Sequence, residues 1–196
     1  EVRNIQRSEI GEVAESFDAK KQVGSSTMAH KRNPIKCENV CSLAKVVRGF
    51  IIPTHENVPL WHERDLTNSA AERFTIPHTC ILVDDMLVKM SQVFANLTVY
   101  PDKMMANIEA SRGLIMAESV MIALVGKGIG RQEAHEMMRK LSLKAADSGA
   151  HLKDLMLADD SIRQIFKPDE IDAIMDPKSY IGQASAIVEK ALKDLR

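Results

Sequence analysis

The chain has 196 residues, enough to bury a real core in one large or two small domains, and its 26 Lys and Arg against 27 Asp and Glu leave a formal net charge of −1. That balance excludes a global field for holding nucleic acid or an anionic membrane, so any anion site must be local. Hydrophobic residues make up 45% but aromatics only 4%, with 11 Met, which suits aliphatic helix packing and leaves few strand-forming aromatics.

The opening EVRNIQRSEIGEV has no initiator Met and reads as the end of a helix stopping near Gly11, which predicts a C-terminal piece of a longer protein. Residues 12–32 are polar, lack a sustained apolar face and predict a loop. Asn33 and Pro34 predict a helix start, with Asn33 as the capping residue and Pro34 first in the helix, where a missing N–H costs nothing. That helix runs through Ile35, Val40, Leu43, Val47 and Phe50 and ends before Pro53. The irregular stretch ENVPLWHERD leads into a long apolar helix over about 66–97, in which Pro77 predicts a bend.

Shorter helices follow over about 102–110, 113–126 and 131–147, the last two separated by the turn GKGIG, then smaller ones up to a final helix over about 179–195. Helical periodicity without convincing strand alternation predicts an all-α fold. The shortening of the helices places a boundary near Ser111, with the end of a long-helix central domain over 1–111 and a compact helical domain over 112–196.

Cys37, Cys41 and Cys80 are odd in number and follow no leader, so they predict buried free thiols in a reducing cytoplasm. No second Cys or His pair completes a tetrahedral set with Cys37 and Cys41, and no metal is predicted. The longest apolar run, LIMAESVMIALVG, is broken by Glu118 and falls short of the roughly 20 residues that span a bilayer. GKGIG lacks the Lys-Ser/Thr ending of a nucleotide phosphate loop and reads as a helix-to-helix turn.

Two polar clusters carry possible chemistry. In GSSTMAHKRNP, residues 24–34, Ser25 can move a proton if its alkoxide is stabilised; Lys31 supplies charge, and Gly24 lets backbone N–H groups come close. A loop serine alone needs no such role. Lys31 and Asn33 bracket Arg32, can project from one side of an extended segment, and precede a helix N-terminus where a carboxylate would bind. Glu38, in the first turn, either favours the helix dipole or orients an imidazole from another segment; the residues alone leave both open. In ERDLTNSAAER, Ser69 and Arg73 share a helix face, and Arg64 can turn back over the helix N-terminus, which together make a phosphate site. Ion pairs with Glu63, Asp65 and Glu72 are the alternative.

GSSTMAHKRNP resembles the signature loop GSSxMPxKxNP of the fumarase/aspartase superfamily of lyases, departing from it where Ala29 stands for proline. ERDLTNSAAERF, GLIMAESVMIALVGKG, LMLAD and MDPKSYIG are similar to the branch of that superfamily that acts on succinylated purine nucleotides, so the likeness covers nearly the whole chain. The resemblance implies β-elimination of fumarate, with Ser25 as the general base that takes the proton beside a carboxylate. It implies that Lys31, Asn33 and the backbone near Met28 hold the succinyl carboxylates, that Glu38 supports a catalytic histidine, and that Arg64, Ser69 and Arg73 grip the 5′-phosphate. It further implies no metal or organic cofactor, a small-molecule nucleotide substrate, no nucleic acid or membrane partner, and a cytoplasmic homotetramer whose active sites are shared between subunits. The general-acid histidine of the superfamily lies upstream of these segments, so the chain alone is expected to have little or no activity. The rivals are a lyase of the same superfamily acting on argininosuccinate and a non-catalytic helical oligomerisation module.

Overall fold

The computed structural model describes residues 1–16 and 32–195, so Ser25, Met28 and Lys31 lie outside the described residues. The chain divides into two compact units, Glu1–Met104 and Met105–Arg196. In the first unit, α1 (Val2–Ile5), β1 (Val13–Ala14), α2 (Ile35–Gly49), α3 (Ile51–Glu56), α4 (Ser69–Ala95) and β2 (Thr98–Val99) precede α5 (Pro101–Glu109), within which the boundary falls. The fold is all-α in class.

The long helices α2 and α4 pack against each other. Cys37, Thr75 and Val93 are buried, but Val46, Ile51, Ile52, Phe74, Ile76, Ile81, Leu87 and Val88 are exposed, so this unit leaves large apolar helix faces uncovered. Among the described residues the one small ladder is antiparallel, Val13 opposite Val99 and Ala14 opposite Thr98. Strands of two residues are too short to show alternation, which is why the sequence predicts none.

α2 ends at Gly49, before Pro53 as predicted, but Pro53 itself lies inside a further short helix, α3. It occupies the third helical position, where an N–H has no partner within the helix, so the proline removes no bond. α4 begins at Ser69 rather than near Leu66, and it continues through Pro77. Pro77 cannot supply the N–H that would reach the Arg73 carbonyl.

In the second unit, a 3₁₀ turn at Leu114–Met116 leads into α6 (Ala117–Gly126), α7 (Arg131–Ser148), α8 (Leu152–Ala158), α9 (Asp160–Ile165), α10 (Pro168–Ile174) and, after a 3₁₀ turn at Pro177–Tyr180, α11 (Ala184–Asp194). Ala134, Met138, Leu141 and Ala145 recur at helical spacing and form the buried stripe of α7, packed in one cluster with Val120, Leu124, Leu152, Met156, Ile162, Phe166 and Ile171. Helix ends are fixed by local chemistry: Asp159 Oδ1 accepts the N–H groups of Ser161 and Ile162 at 2.9 and 3.1 Å, and Lys167 N–H donates to Glu170 Oε2 at 2.8 Å. Gly113 has φ 79°, a conformation strained for any other residue, and a Cβ there would stand 2.7 Å from His151 Cε1 and 2.8 Å from Met175 Cε, which would have to move.

Leu152 is fully buried in this cluster. Leu152→Ala is expected to lower the stability of this unit by about 3 kcal/mol, through lost transfer energy and a residual cavity. Urea unfolding checks this; a loss below about 1 kcal/mol would mean that the site collapses around the alanine.

Among the described residues, no helix is long and apolar enough to cross a membrane.

Candidate active site

The start of α2 is built differently from its prediction. Pro34, at φ −77° and ψ 68°, takes the capping position, and Ile35 is the first helical residue. Asn33 contributes its carbonyl, which accepts the Ile35 N–H at 2.9 Å, and Pro34 O accepts the Glu38 N–H at 2.8 Å. The cap itself is the Glu15 carboxylate: Oε1 accepts the Lys36 N–H and Oε2 the Cys37 N–H, each at 3.0 Å. Glu15 is 5% exposed. The first four N–H groups of α2 therefore all have acceptors, so the substrate carboxylate expected at this helix end finds no free backbone donor. A carboxylate does bind there, but it belongs to the protein.

Asn33 and Glu38 are brought together. They line an open cleft of about 510 Å³ with Arg3, Gln6, Arg7, Ser8 and Arg32. Three guanidinium groups against one carboxylate make its wall cationic, which suits an anionic ligand. Arg3 lies beside the Cys41 side chain and near Glu38, and both neighbours push its guanidinium pKa further up, Cys41 foremost. Arg3 and Arg7 fall in the segment that the sequence predicts to be a helix tail. Their spacing of four, which puts two arginines on one face of a turn, is the signal that could have found them.

The second cluster stands at the start of α4, and Arg64, Ser69 and Arg73 do not line this cleft. The carboxylate of Asp65 accepts the Trp61 N–H at 2.9 Å on one oxygen, and the Thr67 N–H at 3.0 Å and Thr67 hydroxyl at 2.6 Å on the other. These donors, the Thr67 hydroxyl foremost, hold the Asp65 pKa below the usual carboxylate range, so it is ionised and fully used by its own loop. Glu72 Oε1 accepts from Asn68 Nδ2 at 3.1 Å. Among the described residues neither Arg64 nor Arg73 forms an ion pair with Glu63, Asp65 or Glu72. Ser69 is the first residue of α4 and half-buried, while Arg64 and Arg73 are exposed. His62, two residues before Arg64, is in the left-handed region at φ 54°, an unusual conformation for a residue with a side chain.

The cysteines divide by environment rather than all being buried as predicted. Cys37 is buried, and Cys41 and Cys80 are exposed; all three are free thiols. Burial, together with the neighbouring Glu15 carboxylate, pushes the Cys37 thiol up to about 11. At pH 8 Cys37 should stay unmodified by iodoacetamide in the folded chain while Cys41 and Cys80 react, and it should become reactive on unfolding; peptide mass spectrometry reads the difference. The sign for stability follows. Above about pH 9 the unfolded thiol ionises while the native one stays protonated, so the native state loses stability as pH rises toward 11.

Comparisons with known proteins assign the family. Residues 1–49 match a family model described as "Lyase", and residues 113–191 one described as "Adenylosuccinate lyase C-terminus". The chain is 47% identical over 191 residues to an adenylosuccinate lyase of Archaeoglobus fulgidus, covering 97% of this chain and 43% of that protein. It is 45% identical over 194 residues to one from Methanothermobacter thermautotrophicus, covering 99% and 43%. Thus it spans less than half the length of these curated relatives. Among solved structures, it superposes with a TM-score of 0.85 and 26% identity on 3-carboxy-cis,cis-muconate lactonizing enzyme from Pseudomonas putida, covering 98% of this chain and 41% of that one. The corresponding values are 0.83 and 26% for a fumarate lyase from Mesorhizobium sp. BNC1, covering 97% and 41%. With the C-terminal family domain in residues 113–191 and close similarity along nearly all its length, the chain belongs to the adenylosuccinate lyase family.

Proposed function

We propose that the protein containing this chain eliminates fumarate from adenylosuccinate to give AMP, and from the succinylcarboxamide nucleotide (SAICAR) to give AICAR, in purine biosynthesis. Ser25 takes the proton from the carbon beside a succinyl carboxylate, and the C–N bond breaks. Its electron pair goes to the purine-side nitrogen, which an acid outside this chain protonates. Lys31 and Asn33, with the backbone near Met28, stabilise the carbanion-like intermediate, since preorganised donors act best where charge develops. Glu38 supports the imidazole of that acid. Arg64, Ser69 and Arg73 hold the 5′-phosphate and position the nucleotide. No metal or organic cofactor takes part.

The observation that carries this reading is the pairing state at the start of α4. The Asp65 carboxylate is held by Trp61 and Thr67, one Glu72 oxygen accepts from Asn68, and among the described residues neither Arg64 nor Arg73 forms an ion pair with them, which leaves two exposed guanidinium groups beside a helix-first serine for an anion. The uncovered apolar faces of α2, α3 and α4 support the further proposal of a homotetramer with shared sites. Free thiols fit a cytoplasmic enzyme. The proposed division of the chain is a central-domain end over 1–111 and a C-terminal domain over 112–196. A side-by-side assay of the full-length protein with adenylosuccinate and argininosuccinate tests the reading: turnover of the first alone supports it, and turnover of the second alone overturns it in favour of the argininosuccinate rival.

A further inference from the structure

We propose that Glu15 is a positioning residue for this site: with Gln6, it clamps together the two backbone stems that flank residues 17–31, and so fixes where Asn33 and Glu38 stand. The inference rests on the reading of Asn33 and Glu38 as active-site residues.

Four hydrogen bonds make the clamp. The Glu15 carboxylate, 5% exposed, accepts the Lys36 and Cys37 N–H groups at 3.0 Å each, across 21 and 22 residues of chain. The Glu15 N–H donates to Gln6 Oε1 at 2.9 Å, and Gln6 Nε2 donates to the Arg32 carbonyl at 3.2 Å. One side chain thus bonds the far stem and its own backbone is tied, through Gln6, to the same stem four residues earlier. Directly before Glu15, Val13 and Ala14 are paired with Val99 and Thr98, so the clamp is anchored to the body of the unit rather than to a free strand end.

A buried carboxylate is costly unless it is hydrogen-bonded, and the first turn of a helix is where two N–H donors and the positive end of the dipole offset that cost together. An apolar residue of similar size would leave the Lys36 and Cys37 N–H groups without acceptors in a buried place. Asn33 and Glu38 flank those two residues in sequence and line the cationic cleft. A shift of the α2 start by even about 1 Å is enough to cost on the order of 100-fold in a positioned reaction. Glu15 itself lines no part of the cleft, so it acts through the backbone it holds.

The test uses Glu15→Gln, Glu15→Ala and Glu15→Asp in the full-length protein, with two readouts. Amide hydrogen exchange at Lys36 and Cys37 reads the clamp without reference to catalysis. Steady-state kinetics with adenylosuccinate read the site. Glu15→Gln, nearly isosteric, is expected to keep the fold, speed exchange at Lys36 and Cys37 by about 10-fold or more, and lower kcat by about 10- to 100-fold while KM changes less than about 3-fold. Glu15→Ala should exceed it on both readouts, and Glu15→Asp should restore part of each. Unchanged exchange in Glu15→Ala overturns the clamp. Faster exchange with unchanged kcat overturns the positioning role and leaves Glu15 a structural cap. If the wild-type protein lacks lyase activity, the proposed function fails and the positioning role with it, while the exchange data still decide whether the clamp exists.

Discussion

Ser25→Ala in the full-length enzyme is expected to lower kcat on adenylosuccinate by about 1,000-fold and leave KM within about 3-fold of wild type. A hydroxyl that acts only as a proton acceptor contributes to the transition state and little to ground-state binding, and a positioned general base is worth on the order of 100- to 10,000-fold. Steady-state rates with a parallel measurement of AMP and fumarate binding separate the two effects. If binding is lost and turnover at saturation is unchanged, Ser25 is a binding group and the assigned base is wrong. The same assay run on Ser26→Ala gives the control for general disturbance of the segment.

Arg73→Ala should behave in the opposite way, raising KM with a smaller effect on kcat. A charge-assisted bond to a phosphate is worth about 2 to 3 kcal/mol, or about 30- to 150-fold in kcat/KM. The structure sharpens the expectation, because Arg73 has no carboxylate partner among the described residues whose loss would confuse the result. A substrate lacking the 5′-phosphate makes the test specific. Wild type and Arg73→Ala should use it equally poorly, because the group that Arg73 would hold is missing from both. An equal loss on both substrates would show that Arg73 acts on something other than the phosphate.

Much of this architecture is legible in sequence for simple reasons. The buried stripe of α7 recurs at helical spacing, Pro168 opens α10, and Asp159 caps α9, all of them local signals. What escapes is long-range. Glu15 lies in a polar stretch that reads as loop, and nothing near it announces a helix start 21 residues later; Asn33 carries the local capping signal, and the distant carboxylate takes the role. Val13 and Val99 pair across 86 residues in strands too short to alternate. Pro53 shows the limit of a breaker rule, since proline is harmless in a first turn, and this first turn is created by the break at Phe50, just after Gly49. For the candidate site, spacing groups Ser69 with Arg73 but does not decide between an anion site and ion pairs with Glu63, Asp65 and Glu72, because which donors Asp65 and Glu72 accept depends on loop geometry.

The most direct measurement is product analysis by proton NMR on the full-length protein incubated with adenylosuccinate. The account predicts that AMP and fumarate accumulate in a one-to-one ratio, and that Ser25→Ala abolishes both together under the same conditions. Failure of the wild-type protein to release fumarate, or release at an undiminished rate by Ser25→Ala, would contradict it.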